Sequence, residues 1–173
     1  DIYKKNTLSF QERKDILYVG GFGHPPNIDA VLWFANEIFP IILKKYPDIK
    51  WHVVGNKPTE EIKNLASDNI FVSDEKLEQL YNSCRMAVVP LRVGAGVKGK
   101  IVEASYYQVP VVTTDVGAEG ISSEEKALIV ENDACKMAEV ICSLYEDYDM
   151  LAEYAARERK LIEKHYLLKN AMD

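Results

Sequence analysis

MAVVPLRVGAGVKGKIVEASYYQVPVVTT, residues 86–114, runs from a short apolar stretch through a glycine-rich turn and an amphipathic stretch to a second apolar run closed by two threonines. Short β-branched runs bounded by turn residues read as strands buried on both faces, and the stretch between them has helical spacing. The piece therefore reads as one strand–helix–strand crossover of a parallel sheet. The same alternation continues in both directions. Strands are expected at 16–20 (ILYVG), 50–55 (KWHVVG), 69–72 (NIFV), 86–90, 109–114 and 127–130 (ALIV). Between the first two, Ile28, Val31, Leu32, Ala35, Ile38, Phe39, Ile42 and Leu43 recur at helical steps and make one apolar face, which Pro40 should kink or divide. Further helices fit 60–66, 76–83, 98–108, 133–145 and about 149–168. The fold class expected is α/β, a Rossmann-like parallel sheet of about six strands with helices on both faces. With no repeat, linker or low-complexity tract, residues 1–173 read as a single domain with its core at about 16–147 and a closing helix at 148–173. The polar lead, 1–15, has no periodicity to read.

Composition excludes several classes. The 173 residues are 47% hydrophobic and 10% aromatic, enough to fill a globular core. Lysine and arginine number 21 against 27 acidic residues, a net charge of −6, which argues against nucleic acid held on a broad basic face and leaves room for a local basic pocket. No apolar run approaches the roughly 20 residues of a membrane helix, and the start lacks a basic, then apolar, export signal. Cys84, Cys135 and Cys142 form neither a disulfide framework nor a metal-ligand spacing. They read as reduced core fillers, with a cytoplasmic location and no metal site expected.

The nine glycines point to function. Gly20, Gly21 and Gly23 follow the first strand, Gly55 the second, Gly94, Gly96 and Gly99 the fourth, and Gly117 and Gly120 the fifth. All lie beyond carboxyl ends of strands, the edge at which open α/β sheets bind ligands. The loop at 91–103 admits several motifs. As G-x-x-x-x-G-K, Gly94 to Lys100 approaches a P-loop, but Ile101 stands where a magnesium-holding hydroxyl is required. As G-x-G-x-x-G it approaches a dinucleotide fingerprint, with Asp115 as the ribose acid and an NAD-type oxidoreductase as the function. A non-catalytic doubly wound interaction module is the third reading. All share one physical content: Gly94, Ala95 and Gly96 let backbone N–H groups approach an anion, the next helix points its positive end there, and Lys98 adds a full charge. Glu103, further along that helix, can accept two hydrogen bonds from a vicinal diol such as a ribose.

The run RVGAGVKGKIVEASYYQVPVVTTDVGAEG, 92–120, resembles the donor-binding C-terminal half of GT-B glycosyltransferases, particularly the retaining GT4-like group, and the opening 18–34 is similar to the first strand, loop and helix of that half. The similarity extends over about 17–130. It implies a nucleotide-diphosphosugar donor, UDP- or GDP-linked, with no separate cofactor, and transfer of a hexosyl group to a glycan, lipid or other acceptor. Glu103 matches the second acid of the family's E-x7-E motif and is implied to bind the ribose. Lys98 is implied to meet the diphosphate and to stabilise the leaving group. Gly94, Ala95, Gly96 and Val97 would lie beside the phosphates and sugar, Gly20 and Gly21 would close over the phosphates, and the base would rest near Val72 and Ser73.

Two departures stand out. Ala95 occupies the place of the family's first acid, and no Asp or Glu occurs anywhere in 79–102. The first loop offers Gly21, Phe22, Gly23 and His24 where many relatives carry an Arg and a Lys, leaving His24 and Arg92 as candidate substitutes. The resemblance also implies an acceptor-binding domain upstream, through which the whole protein would meet its acceptor and any membrane surface.

Overall fold

The β-branched runs pair into a single six-stranded sheet, seen in a computed structural model that describes residues 8–74, 77–94 and 98–167. Its strands are β1 (Ile16–Val19), β2 (Trp51–Val54), β3 (Ile70–Ser73), β4 (Met86–Val89), β5 (Val111–Thr113) and β6 (Leu128–Val130). All neighbours are parallel, in the order β3-β2-β1-β4-β5-β6. Ile16 is registered against both Trp51 and Met86, so β1 and β4 lie side by side at the centre although most of the first half of the chain separates them. The strand order reverses at that point. Because crossovers of parallel strands are right-handed, growing the sheet in opposite directions from β1 and β4 puts the helices of the two halves on opposite faces.

One face carries α1 (Pro25–Trp33), a wide turn (Phe34–Ile38) and α2 (Phe39–Lys45), packed with α7 (Ala134–Tyr145); the other carries α5 (Gly99–Tyr106) under α8 (Tyr148–Ile162). Shorter helices are α3 (Glu60–Lys63), α4 (Leu77–Ser83) and α6 (Asp115–Ala118). Pro40 divides the long apolar helix as its chemistry requires. The Phe39 N–H reaches five residues back to the Phe34 carbonyl, and Pro40 then falls in the first turn of α2, where its missing N–H leaves no gap. Phe34, Phe39 and Trp51 cluster beneath, with ring centroids 4.6 and 5.7 Å from the indole.

α8 follows the amino ends of the strands. Its ring at Tyr148 lies 5.0 Å from the guanidinium of Arg85, just before β4, and Arg157 donates to the Lys126 carbonyl, just before β6, at 3.3 Å. Leu151, Ala155, Glu158, Leu161 and Ile162 form its buried stripe. Five strands are one to three residues shorter than expected from sequence, β3 is displaced by one residue, and the helix expected over 60–66 stops at Lys63. The helix expected to run to 168 passes at Glu163 into a second wide turn, Glu163–Leu167. α6 was not expected: its four residues include a glycine, and its signal is the cap, where Thr114 Oγ1 accepts from Gly117 N–H at 3.1 Å. Lys76 and Leu168, at ends of expected helices, lie outside the described residues. Among the described residues no helix is long and apolar enough to cross a membrane.

Candidate functional site

A cleft of about 950 Å³ opens at the carboxyl edge of the sheet, over the β1–β4 reversal. Two strand-to-helix loops face each other across it, and they are built differently.

The β1–α1 loop is tied to its own neighbours. The Gly20 N–H donates to the Val54 carbonyl at 2.9 Å and the Phe22 N–H to the Asn56 carbonyl at 3.0 Å. A Cβ on Gly55 would lie 1.9 Å from the Gly20 carbonyl oxygen, so glycine is required for the β1 and β2 ends to approach. Tyr18 Oη donates to Asn27 Oδ1 at 2.8 Å, and Asn27 Nδ2 donates to the Gly21 carbonyl at 2.7 Å. Burial pushes the Tyr18 hydroxyl pKa well up, so it stays protonated and fixes the orientation of the Asn27 amide. His24 stands at the N-cap of α1 without a side-chain cap bond, followed by Pro25 and Pro26. Neither proline has an N–H, and the Asn27 N–H donates to the His24 carbonyl at 3.0 Å, so most of the donors with which a helix start holds an anion are missing here.

The β4–α5 loop keeps the two donors that the prolines remove. Thr113 Oγ1 donates to the Val89 carbonyl at 2.8 Å and Thr114 Oγ1 to the Leu91 carbonyl, fixing the exit of β4. Gly94 has φ +124°, a conformation closed to other residues without strain, and Lys98 folds back over it, with Nζ 3.9 Å from where a Cβ would sit. α5 then starts at Gly99 with no acidic residue in its first turn. The Ile101 N–H donates to the Lys98 carbonyl at 3.0 Å, as the Asn27 N–H does to that of His24 in α1. Gly99 and Lys100, however, keep the first two N–H groups that the prolines of α1 lack, so the positive end of α5 and the Lys98 charge both face the cleft.

The described lining contains three lysines, Lys57, Lys98 and Lys100, against the single carboxylate of Asp74. In a chain of net charge −6 that concentration makes the cleft locally positive, a setting suited to an anion. Glu103 does not line the cleft itself; its carboxylate lies 3.2 Å from Lys100 Nζ, which does. Of the residues expected from sequence, Gly20, Gly21, His24, Gly94 and Lys98 come together on the lining. Val72 and Ser73 end β3, with Asp74 next to them on the lining. Ala95, Gly96 and Val97 lie outside the described residues. Arg92, a candidate substitute for a first-loop cation, is engaged elsewhere: Nη2 is 2.6 Å from Asp29 Oδ1 and the guanidinium lies 5.1 Å from the Trp33 ring centroid. Asp115, the ribose acid of the dinucleotide reading, is off the lining and bonded to Asn132 at 2.6 Å. Ile101, the position that spoils the P-loop, is fully buried.

Tyr18, Asn27, Asn56 and Lys57 belong to the cleft and were not picked out from sequence. For Asn56 and Lys57 the signal was Gly55, whose place after a strand puts the next two residues at the same edge. A separate grouping of possible metal ligands, Glu124, Glu125 and His165, sits by the loop before β6, away from the cleft. Lys164 already supplies positive charge there, 2.8 Å from Glu124.

Comparisons with known proteins agree with this geometry. An "Uncharacterized 44.6 kDa protein in cps region" of Klebsiella pneumoniae is 29% identical over 164 residues, covering 88% of this chain and 42% of the relative. A crystal structure of a S. aureus TarM point mutant in complex with fondaparinux, alpha-GlcNAc-glycerol and UDP superposes with a TM-score of 0.75 at 19% identity, over 98% of this chain and 36% of TarM. The C-terminal domain of LpcC, a glycosyl transferase group 1 family protein of Francisella tularensis, superposes at 0.70 with 16% identity, over 95% of this chain and 96% of that one. The chain thus spans about two-fifths of the length of its Klebsiella relative. The sheet order, and a cleft at the strand reversal, are those of a GT-B glycosyltransferase domain, and a family model for glycosyl transferases group 1 matches residues 13–147; the chain belongs to that family.

Proposed function

We propose that this chain binds the nucleotide-diphosphosugar donor of a retaining, GT4-like glycosyltransferase that moves a hexosyl group to a glycan, lipid or other acceptor, without a separate cofactor. The observation that carries the reading is the β4–α5 loop, where a free helix start, Gly94 and Lys98 converge on a cleft lined by three lysines and one carboxylate. The diphosphate lies against α5 and Lys98. As the glycosidic bond to the diphosphate breaks, negative charge grows on the phosphate oxygens, and the lysine and helix end stabilise it in place. Glu103 accepts from the ribose hydroxyls, which requires it to exchange its contact with Lys100 for the diol. The base rests by Val72 and Ser73, Gly20 and Gly21 close over the phosphates, and Ala95, Gly96 and Val97 flank the sugar. A UDP- or GDP-linked donor fits this reading, as does a role in polysaccharide or glycan assembly on the cytoplasmic side, given a relative from a cps region and a neighbour solved with UDP.

Transfer also requires an acceptor hydroxyl held against the anomeric carbon in a closed, oriented site. Orientation of that kind supplies up to about 7 to 11 kcal/mol in well-ordered systems. A second, acceptor-binding domain is proposed to provide it. Calorimetric titration with UDP, GDP, ADP and NAD tests the reading: UDP or GDP is expected to bind most tightly, and NAD binding more tightly than either would overturn it. The 173-residue chain alone is expected to bind nucleotide with at most slow donor hydrolysis; efficient transfer to a defined acceptor by this chain would overturn the division of labour.

A further inference from the structure

The wall of the cleft opposite α5 is short of positive charge where a diphosphate needs it. Its helix start is occupied by Pro25 and Pro26, the Asn27 N–H is used locally, and Arg92 is held by Asp29. The β2–α3 loop is fastened to this wall: the Asn56 carbonyl accepts from the Phe22 N–H, and Asn56 Oδ1 lies 2.8 Å from where a Cβ on Gly21 would sit. The next residue is Lys57, an exposed lysine on the cleft lining. Its ammonium forms no ion pair among the described residues, and Asp74 is the one described carboxylate on the lining to compete for it.

Lys57 has φ +51°, the left-handed region in which glycine is at ease and a residue with a Cβ is disfavoured. A glycine there would serve the turn as well and would remove the charge. Lys126 provides the internal control: it has the same φ of +51° and is also exposed, but it lies in the loop before β6 and is not on the lining.

We propose that Lys57 is the phosphate-binding cation of the β1–β2 wall, gripping the phosphoryl oxygens of the nucleoside diphosphate from the side opposite Lys98. This rests on the donor-binding reading and adds a residue to it. Two cations on facing walls hold the diphosphate by its two ends, which selects a diphosphate over a nucleoside or a monophosphate.

Lys57→Gly and Lys126→Gly should be compared with the parent chain by calorimetry with UDP and GDP, with uridine and guanosine, and by urea unfolding. The two substitutions make the same backbone change and should shift stability alike. Lys57→Gly alone should weaken the diphosphate by about tenfold or more and leave the nucleoside unchanged, with a shallower dependence on salt. Lys57→Met, which keeps the side-chain stem and the backbone preference, should show the same loss, so a folding defect in the glycine variant does not decide the matter. If both Lys57 variants bind UDP and GDP like the parent while Lys98→Ala is weakened, Lys57 is no phosphate ligand and the donor reading stands. If the parent binds neither diphosphate, the donor reading falls and the role of Lys57 falls with it.

Discussion

The two edges of the sheet use charge in opposite ways. At the carboxyl edge the lysines line a concavity, Lys57 and Lys100 exposed and Lys98 half-buried. At the amino edge the charges are buried and spent on the protein itself. Arg85, just before β4, donates from Nε to the carbonyls of Phe10 and Arg13 at 3.0 and 2.7 Å, and from Nη1 to that of Tyr145 at 3.0 Å. Its guanidinium also faces the rings of Tyr145 and Tyr148 at 4.5 and 5.0 Å. Asp15 complements it by accepting from the Lys50 N–H at 2.9 Å, while its own N–H donates to Tyr145 Oη at 2.7 Å. A cation bonded to several backbone carbonyls closes a structure; an exposed one on the lining of a cleft, such as Lys57, is available to a ligand.

The strongest way to break that contrast is Arg85→Met. It leaves several buried carbonyls without a donor, at about 1 to 3 kcal/mol for each unsatisfied group, so a loss of at least about 3 kcal/mol in urea unfolding is expected. Nucleotide affinity of the molecules that remain folded should not change. A variant of unaltered stability would show that the amino edge does not depend on this arginine.

Lys98→Ala should do the reverse. Unfolding should shift by no more than about 1 kcal/mol, as for a half-buried surface lysine, while nucleoside diphosphate binding falls by about 1.5 to 3 kcal/mol and nucleoside binding barely moves. Equal weakening of both ligands would mean that the lysine supports the loop, over which it folds at Gly94. Glu103→Ala should instead weaken nucleoside and diphosphate together, by about 1 to 3 kcal/mol, if its carboxylate leaves Lys100 for the ribose. Unchanged affinity would remove Glu103 from the site.

The same contrast explains what the sequence disclosed. All six strands and the edge of the cleft follow from β-branched runs and from where the glycines fall, because both patterns are local and have a period. Residues 8–15 looked like an uninformative lead. Their function is to present backbone carbonyls to Arg85, and a carbonyl is the same whatever side chain accompanies it. Lys57 was passed over for a related reason: it reaches the cleft through Asn56, whose backbone carbonyl fastens one loop to another. Glu103 was legible as an acid one to two turns into α5, but its contact with Lys100 and its absence from the lining depend on how the helix is rotated over the sheet.

The final prediction concerns a carboxyl at the closed edge and is a change of slope. Glu158 on α8 is fully buried, and burial holds its pKa well above the ordinary carboxylate value, against the opposing pull of the Val111 N–H and the Arg13 charge. Burial also draws Arg13 down to about 10, which still leaves it charged at neutral pH. Between the unfolded pKa of Glu158 and its raised folded value, the folded chain keeps a proton that the unfolded chain has released. Stability from this group is therefore fully present below the unfolded value and declines as pH rises toward the folded one. Exposed Glu12 and Glu124 have lowered pKa values, so their contributions are present above the ordinary carboxylate range and are lost only on acidification below it. They do not interfere between pH 5 and 8. Glu158→Gln replaces the ionisable group with a neutral one of the same shape and should flatten unfolding free energy over that interval, gaining on the parent as pH rises. Parallel parent and Glu158→Gln curves from pH 5 to 8 would show that this carboxyl has an ordinary pKa in the folded chain, and that the amino edge tolerates an ionised acid as readily as the cleft does.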